Sequence, residues 1–220
     1  ETLAIRLAGL QRRAQPSVDK VHISVFAADH GVADEGVSAF PQAVTTQMVH
    51  NFLQGGAAIS ILAKQLGATL EIIDVGIKTP LAHPQLIVQR AGNSTANNAL
   101  GAAMTSEQLQ SALQAGFNAV ERAQQAGADL FIGGEMGIAN TTTATALYCA
   151  LLDLTPIETT GPGTGLNQVG IQHKKTVIQR ILNLHRSTFG RPLEVLRCMG
   201  GFEIAALTGA YIHAGQCGIP

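Results

Sequence analysis

The sequence has no tryptophan, and aromatic residues make up only 4% of it. Nucleic-acid surfaces that stack bases on aromatic side chains are therefore disfavoured. Charge is scarce as well, since charged residues are 13% of the chain, the formal net charge is −1, and no basic block occurs. Phosphate backbones are bound by clustered lysine and arginine, so this composition argues against nucleic acid as the main partner.

Cysteine is also rare, with three residues at positions 149, 198 and 217 and no CxxC pair. An odd number of unpaired cysteines favours a reducing cytoplasm and predicts no metal site. The sequence contains no apolar run of membrane-spanning length and no secretory signal pattern at its start. We therefore expect a cytoplasmic protein that has no membrane partner.

What the sequence does contain is apolar: 46% of its 220 residues are hydrophobic, enough for one large domain over residues 1–220. Short apolar runs at 21–27, 69–75 and 129–132 predict buried strands, with a possible short strand at 86–89. Helical patterns separate them at 1–13, 42–53, 57–66 and 105–126, and others follow at 144–151, 169–185 and 203–213. This alternation predicts an α/β fold with a Rossmann-like parallel sheet and helices on both faces. The first helix has no N-terminal cap, and the chain ends where a further strand is expected.

The chemistry is expected around residues 129–143, where a predicted strand leads through glycines into a helix N-terminus. Backbone N–H groups at such a point attract an anion such as phosphate. Glu135 lies at the carboxyl end of the strand, where α/β sheets bind their ligands. A carboxylate there does not bind the anion itself, so Glu135 either acts on the substrate or braces the loop through backbone N–H groups. Asn140, Thr141 and Thr142 are either ligand contacts or simple helix caps.

Two further stretches are candidates for ligand binding. Asp29 and His30 follow the first strand and share its carboxyl end. Alternatively, Asp29 caps a turn and His30 is a loop histidine with satisfied hydrogen bonds. The second stretch, 161–165, is rich in glycine and resembles a phosphate-binding loop in its mechanics, although a flexible turn is also consistent with it. Lys174 follows in a helix and can add positive charge; with Lys175 and Arg180 it is predicted to lie on the face opposite the apolar one.

Six motifs in this order resemble those of the nicotinate-nucleotide–dimethylbenzimidazole phosphoribosyltransferase family. They are 27–32 (AADHGV), 40–45 (FPQAVT), 74–77 (DVGI), 134–142 (GEMGIANTT), 161–165 (GPGTG) and 200–204 (GGFEI). The resemblance covers almost the whole chain. It implies transfer of phosphoribose from nicotinate mononucleotide to 5,6-dimethylbenzimidazole, with inversion at the anomeric carbon, no cofactor, no metal, and a homodimer.

The resemblance also assigns residues to roles. Glu135 is a catalytic candidate, and the slot for the benzimidazole is expected to involve Asp29, His30, Phe40, Met48 and Met136. Phosphate and ribose are expected to contact Gly137, Asn140, Thr141, Thr142, Gly161, Gly163, Thr164, Gly165 and Lys174.

Members of this family are longer than the present sequence, which resembles their large domain with the small domain mostly absent. The glutamate regarded as the family's general base belongs to a C-terminal part that this sequence does not contain. The resemblance therefore leaves two readings open, a phosphoribosyltransferase and a catalytically impaired or non-catalytic nucleotide-binding fragment of one. A dinucleotide-dependent enzyme is disfavoured, because no GxGxxG motif opens the first crossover.

Overall fold

The computed structural model describes all residues 1–220 and contains one four-stranded sheet. The strands are β1 (Val21–Ala28), β2 (Thr69–Gly76), β3 (Leu86–Val88) and β4 (Leu130–Met136). Their order is β3-β2-β1-β4, and every neighbouring pair is parallel. This confirms the predicted α/β fold.

Nine α-helices surround or flank the sheet. They are α1 (Thr2–Gln11), α2 (Ala43–Leu53), α3 (Ala58–Leu66), α4 (Ser106–Gln125), α5 (Asn140–Leu152), α6 (Pro156–Thr159), α7 (Gln168–Leu184), α8 (Pro192–Met199) and α9 (Phe202–Cys217). The predicted cap of α4 is present: the Thr105 hydroxyl accepts a bond from the Gln108 N–H, and the Gln108 side chain accepts one from the Thr105 N–H. None of these helices is long and apolar enough to span a membrane.

Alternating side chains of the strands enter two separate cores. Phe26 and Ile73 belong to a cluster of 33 buried residues that includes residues of α4, α5, α7, α8 and α9. Val25 and Ile72 belong to a cluster of 8 that includes residues of α2 and α3. Strand side chains point to opposite faces in turn, so the two clusters confirm helices on both faces of the sheet.

The fourth strand differs from its prediction. We expected it to end at Ile132 before a glycine loop, but β4 continues through Gly133 and Gly134 to Met136. A Cβ on Gly133 would lie 2.5 Å from the Leu207 side chain, so the glycine lets α9 pack directly on the strand. Glu135 is therefore held in a strand next to β1 and does not lie in a loop.

The ends of β1 and β4 define the position of the site. Strand order runs outward from β1 to β3 on one side, and β4 lies on the other side of β1. This reversal is the switch point at which open α/β sheets bind ligands beyond the carboxyl ends of their strands. Asp29 and His30 leave β1 there, and Gly137 to Asn140 leave β4 beside them.

Candidate functional site

His30 lies at the centre of the site and is completely buried. Its Nε2 is 2.7 Å from the Glu203 Oε1, and its Nδ1 is 3.1 Å from the Thr143 hydroxyl oxygen. Burial alone would lower the pKa of His30, but the charge and hydrogen bond of Glu203 outweigh it, so this pKa is raised. His30 is thus a buried histidine whose two ring nitrogens both have hydrogen-bond partners.

Two glycines allow the His30 ring to fit. A Cβ on Gly137 would lie 3.0 Å from the His30 Nε2 and 2.5 Å from the Ala28 carbonyl oxygen. A Cβ on Gly201 would lie 2.4 Å from the His30 Cε1. Any side chain at either position would collide with the ring, so both motif glycines serve close packing around His30.

Glu203 is a member of the site that the sequence analysis did not select. It lies in the first turn of α9 and is completely buried. Its Oε1 accepts bonds from the His30 Nε2 and the Asn140 Nδ2, both at 2.7 Å, while its Oε2 has no partner. The one signal for Glu203 was an acidic residue two positions after the glycines of the 200–204 motif.

Glu135 projects from β4 near this buried group. The pKa of Glu135 is raised to about 7, mainly by desolvation and then by the charge of Glu203, while the charge of His30 opposes the rise. Water reaches the side chain, although protein atoms surround most of its carboxyl group. Solvent screening moderates the contribution of this shift to stability. Glu135 accepts no hydrogen bond from the protein, so the structure gives no support to the bracing alternative.

A cavity of about 330 Å³ opens between α5, the 161–165 loop and α7. It is lined by Asn140, Thr141, Ala144, Thr145, Tyr148, Thr159, Gly161, Gly163 and Lys174. Depressions of about 410 and 460 Å³ lie elsewhere, beside α4. Neither of them is lined by Lys174 or by the polar residues at the start of α5, so we place the candidate phosphate site in the cavity of about 330 Å³.

The position of Lys174 corrects an expectation. We predicted that Lys174 lies on the outer face of α7, but its side chain is only 1% exposed. It lies on the same face of the helix as the buried Val177 and Ile178, three and four residues further on. Its Nζ donates to the Thr141 hydroxyl at 2.6 Å. Desolvation lowers the pKa of Lys174 to about 8. No carboxylate pairs with this buried ammonium group, which leaves it available to an anion.

The glycine loop packs onto this lysine. A Cβ on Gly163, which has a φ of +58°, would lie 2.9 Å from the Thr141 Oγ1 and 3.2 Å from the Lys174 Nζ. The loop backbone therefore comes close to the ammonium group only because residue 163 is glycine. Gly161 lines the same cavity. Thr164 and Gly165 are exposed outside the lining, and the Thr164 hydroxyl lies 3.3 Å from that of Ser38.

The three polar residues predicted at the start of α5 have different surroundings. The residue before the helix is Ala139, in a left-handed conformation with φ of 72°, and no side chain caps the helix. The capping alternative is therefore wrong. Asn140 and Thr141 line the cavity, whereas Thr142 points into the core, where its hydroxyl has no hydrogen-bond partner. The helical turn of about 100° per residue explains why Thr142 faces away from the other two.

Asp29 is buried, and both of its oxygens are engaged. One accepts from the Thr45 hydroxyl and the other from the Lys78 N–H, each at 2.8 Å. Burial raises the pKa of Asp29, although these bonds oppose the rise. The Thr45 hydroxyl also accepts from the Ile138 N–H at 3.1 Å, which ties α2 to the end of β4. Asp29 thus joins the end of β1 to α2 and to the backbone at Lys78; its role is structural, but it does not cap a turn.

The sequence predicts three apolar side chains in the slot for the base. Phe40 is 50% exposed in the segment before α2. Met48 lies on α2 one turn beyond Thr45 and is half-buried, and the half-buried Met136 packs on the smaller core cluster. The common slot of these three side chains stays a prediction.

Comparisons with known proteins agree with one another. The family profile described as phosphoribosyltransferase (DBI_PRT) matches residues 1–220. A Pseudomonas syringae pv. syringae protein named nicotinate-nucleotide–dimethylbenzimidazole phosphoribosyltransferase is 57% identical over 219 residues, which cover 100% of this chain and 63% of that protein. A Pseudomonas putida KT2440 protein of the same name is 55% identical with the same coverages. The crystal structure of CobT from Thermus thermophilus superposes with a TM-score of 0.93 at 44% identity, covering 100% of this chain and 66% of that one. The chain thus spans about 63% of the length of the curated relatives it matches.

Proposed function

The chain belongs to the phosphoribosyltransferase family DBI_PRT, and we propose that it transfers phosphoribose from nicotinate mononucleotide to 5,6-dimethylbenzimidazole. The products are α-ribazole 5′-phosphate and nicotinate. The observation that carries this proposal is the buried Lys174 facing a cavity of about 330 Å³ beside Asn140 and Thr141. An unpaired, desolvated ammonium group next to helix N–H groups suits the phosphate of a mononucleotide.

In this proposal, Lys174, Thr141 and the backbone of Gly161 and Gly163 hold the phosphate. Asn140 lies next to Thr141 and contacts the ribose. Thr142, Thr164 and Gly165 contribute only through the backbone that carries their neighbours, because their side chains lie outside the cavity lining or are absent. Gly137 acts indirectly as well, by making room for His30.

The benzimidazole occupies the slot near Phe40, Met48 and Met136, with Asp29 and His30 buried behind it. One ring nitrogen attacks the anomeric carbon, and the bond from that carbon to the pyridinium nitrogen breaks. The bonding electron pair leaves with the ring nitrogen, which becomes the neutral pyridine nitrogen of nicotinate, so the leaving group needs no proton. The other ring nitrogen of the benzimidazole loses its proton, and in this proposal a carboxylate of the protein accepts it. Catalysis therefore depends on positioning and on accepting that proton.

Glu135 is the proton acceptor that this chain offers. Its raised pKa, about 7, makes it a better base than an ordinary carboxylate and leaves it substantially ionised near neutral pH. In a full-length homologue, Glu135→Gln keeps the size of the side chain but accepts no proton. We expect kcat/KM to fall by at least about tenfold, or about 1.4 kcal/mol of transition-state stabilisation. Glu107→Gln, at the exposed start of α4, is the control. A loss below about threefold would refute the catalytic role.

A second candidate function is a nucleotide-binding unit with impaired turnover. The observation in its favour is that the chain spans about 63% of the length of its curated relatives. Chromatography of nicotinate and α-ribazole 5′-phosphate separates the two, with the Pseudomonas syringae relative as the positive control. Binding of nicotinate mononucleotide together with turnover supports the transferase, and binding without turnover supports the second candidate.

We propose further that residues 1–220 form one domain, that this domain forms a homodimer, and that the protein acts in the cytoplasm. The dimer is supported by exposed apolar side chains near the end of α5, where Tyr148, Leu152 and Ile157 are 55%, 62% and 78% exposed. The cytoplasmic location is supported by three cysteines that form no disulfide. Light scattering at micromolar concentration tests the assembly, and a monomer mass would refute the homodimer.

A further inference from the structure

Glu203 is a buried carboxyl group that the proposed reaction does not use directly. The side chain is completely buried, and one of its two oxygens has no hydrogen-bond partner. An incompletely satisfied buried carboxylate is destabilising, even when a cation lies beside it. The His30 partner does not remove this cost, because His30 is equally buried. Stability alone therefore does not explain Glu203.

The contacts of Glu203 point to Asn140. The Asn140 Nδ2 donates a hydrogen bond to the Glu203 Oε1 at 2.7 Å. The amide carbonyl oxygen of Asn140 is then turned away from Glu203. That oxygen receives no hydrogen bond from the protein, and Asn140 lines the cavity that also contains Lys174.

The surroundings hold Glu203 in place. The His30 Nε2 approaches the same Oε1 at 2.7 Å, and Thr143 bonds to the opposite side of the His30 ring. Glycines at 137 and 201 close around this ring. The carboxylate is thus fixed from the side opposite the cleft and has no freedom to follow a rotating Asn140 amide.

We propose that Glu203 is a positioning and specificity residue that orients the Asn140 amide so that its carbonyl oxygen accepts a hydrogen bond from a ribose hydroxyl of the nucleotide. This inference rests on the proposed function and deepens it. A cleft that presents an acceptor at this point selects a sugar with a hydroxyl donor. It discriminates against the deoxy sugar, because the desolvated oxygen is then left unpaired.

Calorimetry with nicotinate mononucleotide and its 2′-deoxy and 3′-deoxy analogues tests this on the whole chain. In the unmodified protein, we expect one of the two analogues to bind about tenfold more weakly than the ribonucleotide. Glu203→Gln introduces an NH₂ that lets the Asn140 amide turn around. The ratio of the Kd of that analogue to the Kd of nicotinate mononucleotide should then fall below about threefold. Asn140→Ala should reduce this ratio equally. The double variant Glu203→Gln/Asn140→Ala should reduce it no further, because the two residues act through one contact.

Asn140→Asp keeps an acceptor but loses the NH₂ group that binds Glu203, and it leaves the residues Glu203 and His30 themselves unchanged. The ratio of the two Kd values in this variant should also fall below about threefold. Both ligands carry the phosphate, so repulsion between the phosphate and the new carboxylate cancels in the ratio. This variant decides the question even if Glu203→Gln unfolds, which thermal melting would reveal. Normal binding of nicotinate mononucleotide with an unmodified-protein ratio near one overturns the inference and leaves the proposed function standing. An undiminished ratio in Asn140→Asp or in folded Glu203→Gln also overturns it. No binding of nicotinate mononucleotide at all overturns both.

Discussion

Replacing Lys174 is the most direct perturbation of the proposed phosphate site. In the free protein its ammonium group is desolvated, has a pKa of about 8, and bonds only to the Thr141 hydroxyl at 2.6 Å. Hydrogen bonds between charged groups contribute about 1.5–3 kcal/mol, so Lys174→Ala should weaken binding of nicotinate mononucleotide by roughly ten- to a hundredfold. The matched control is Lys175→Ala, because Lys175 is the next residue, carries the same charge and makes no polar contact with the protein.

The same lysine predicts how binding depends on pH. A pKa of about 8 leaves the free ammonium group roughly nine-tenths protonated at pH 7 and roughly one-tenth at pH 9. A bound phosphate favours the charged form and raises this pKa, so binding takes up a proton in alkaline solution. Affinity should therefore fall by about tenfold from pH 7 to pH 9, where the phosphate itself is already a dianion.

Isothermal titration at three pH values measures both effects. The unmodified chain and Lys175→Ala should share the alkaline loss of affinity, and Lys174→Ala should lack it. A flat profile in the unmodified chain, or equal affinities of Lys174→Ala and Lys175→Ala at pH 7, would refute the assignment of Lys174 to the phosphate. Lys174 would then be a buried lysine that serves only the packing of α7 on α5.

Two further predictions concern stability. Gly137→Ala should lower the free energy of unfolding by about 2 kcal/mol or more in denaturant melts, because its Cβ would lie 2.5 Å from the Ala28 carbonyl oxygen; Gly9→Ala, with no atom within 4 Å, should not. The pKa of Glu71 is lowered to about 2: burial opposes this, but hydrogen bonds from Arg122 and Ser24, together with the nearby His22 ring, prevail. A depressed carboxyl pKa contributes stability that is present above the unfolded value and lost as pH falls through the folded one, about 3 kcal/mol here. Arg122→Ala should therefore begin acid unfolding at a higher pH than the unmodified chain, and identical acid melts would contradict the role of this pair.

The fold was largely predictable because its signals are local. The apolar runs of β1 and β2 are each bounded by polar residues or glycine, and the Thr105 cap and the left-handed Gly67 mark helix ends within a few residues. The length of β4 was not predictable in the same way. Gly133 and Gly134 read as a loop by composition, and only the helix packed against them, through Leu207, explains glycine inside a strand.

The site was predictable in its location but not in its connections. Strand ends and glycine loops pointed to residues 29–30, 135–142 and 161–165. The bond from Glu203 to His30 joins residues 173 positions apart, and that from Lys174 to Thr141 joins residues 33 apart. Sequence periodicity carries no information about such pairs. A lysine in a helical pattern is ordinarily solvated, so its burial required knowledge of the neighbouring α5.

Glu135 and Lys174 place opposite demands on pH, and together they define where the proposed reaction can proceed. Glu135 must be deprotonated to accept the proton of the incoming base, which its pKa of about 7 favours at higher pH. Lys174 must be protonated to hold the phosphate, which its pKa of about 8 favours at lower pH. The pH profile of kcat/KM reports the free protein, so it should be bell-shaped with limbs near these two values. Glu135→Gln should remove the acidic limb from whatever turnover remains, and Lys174→Ala should remove the alkaline limb. If both limbs persist in both variants, neither residue titrates in the reaction, and the roles assigned to this pair are wrong.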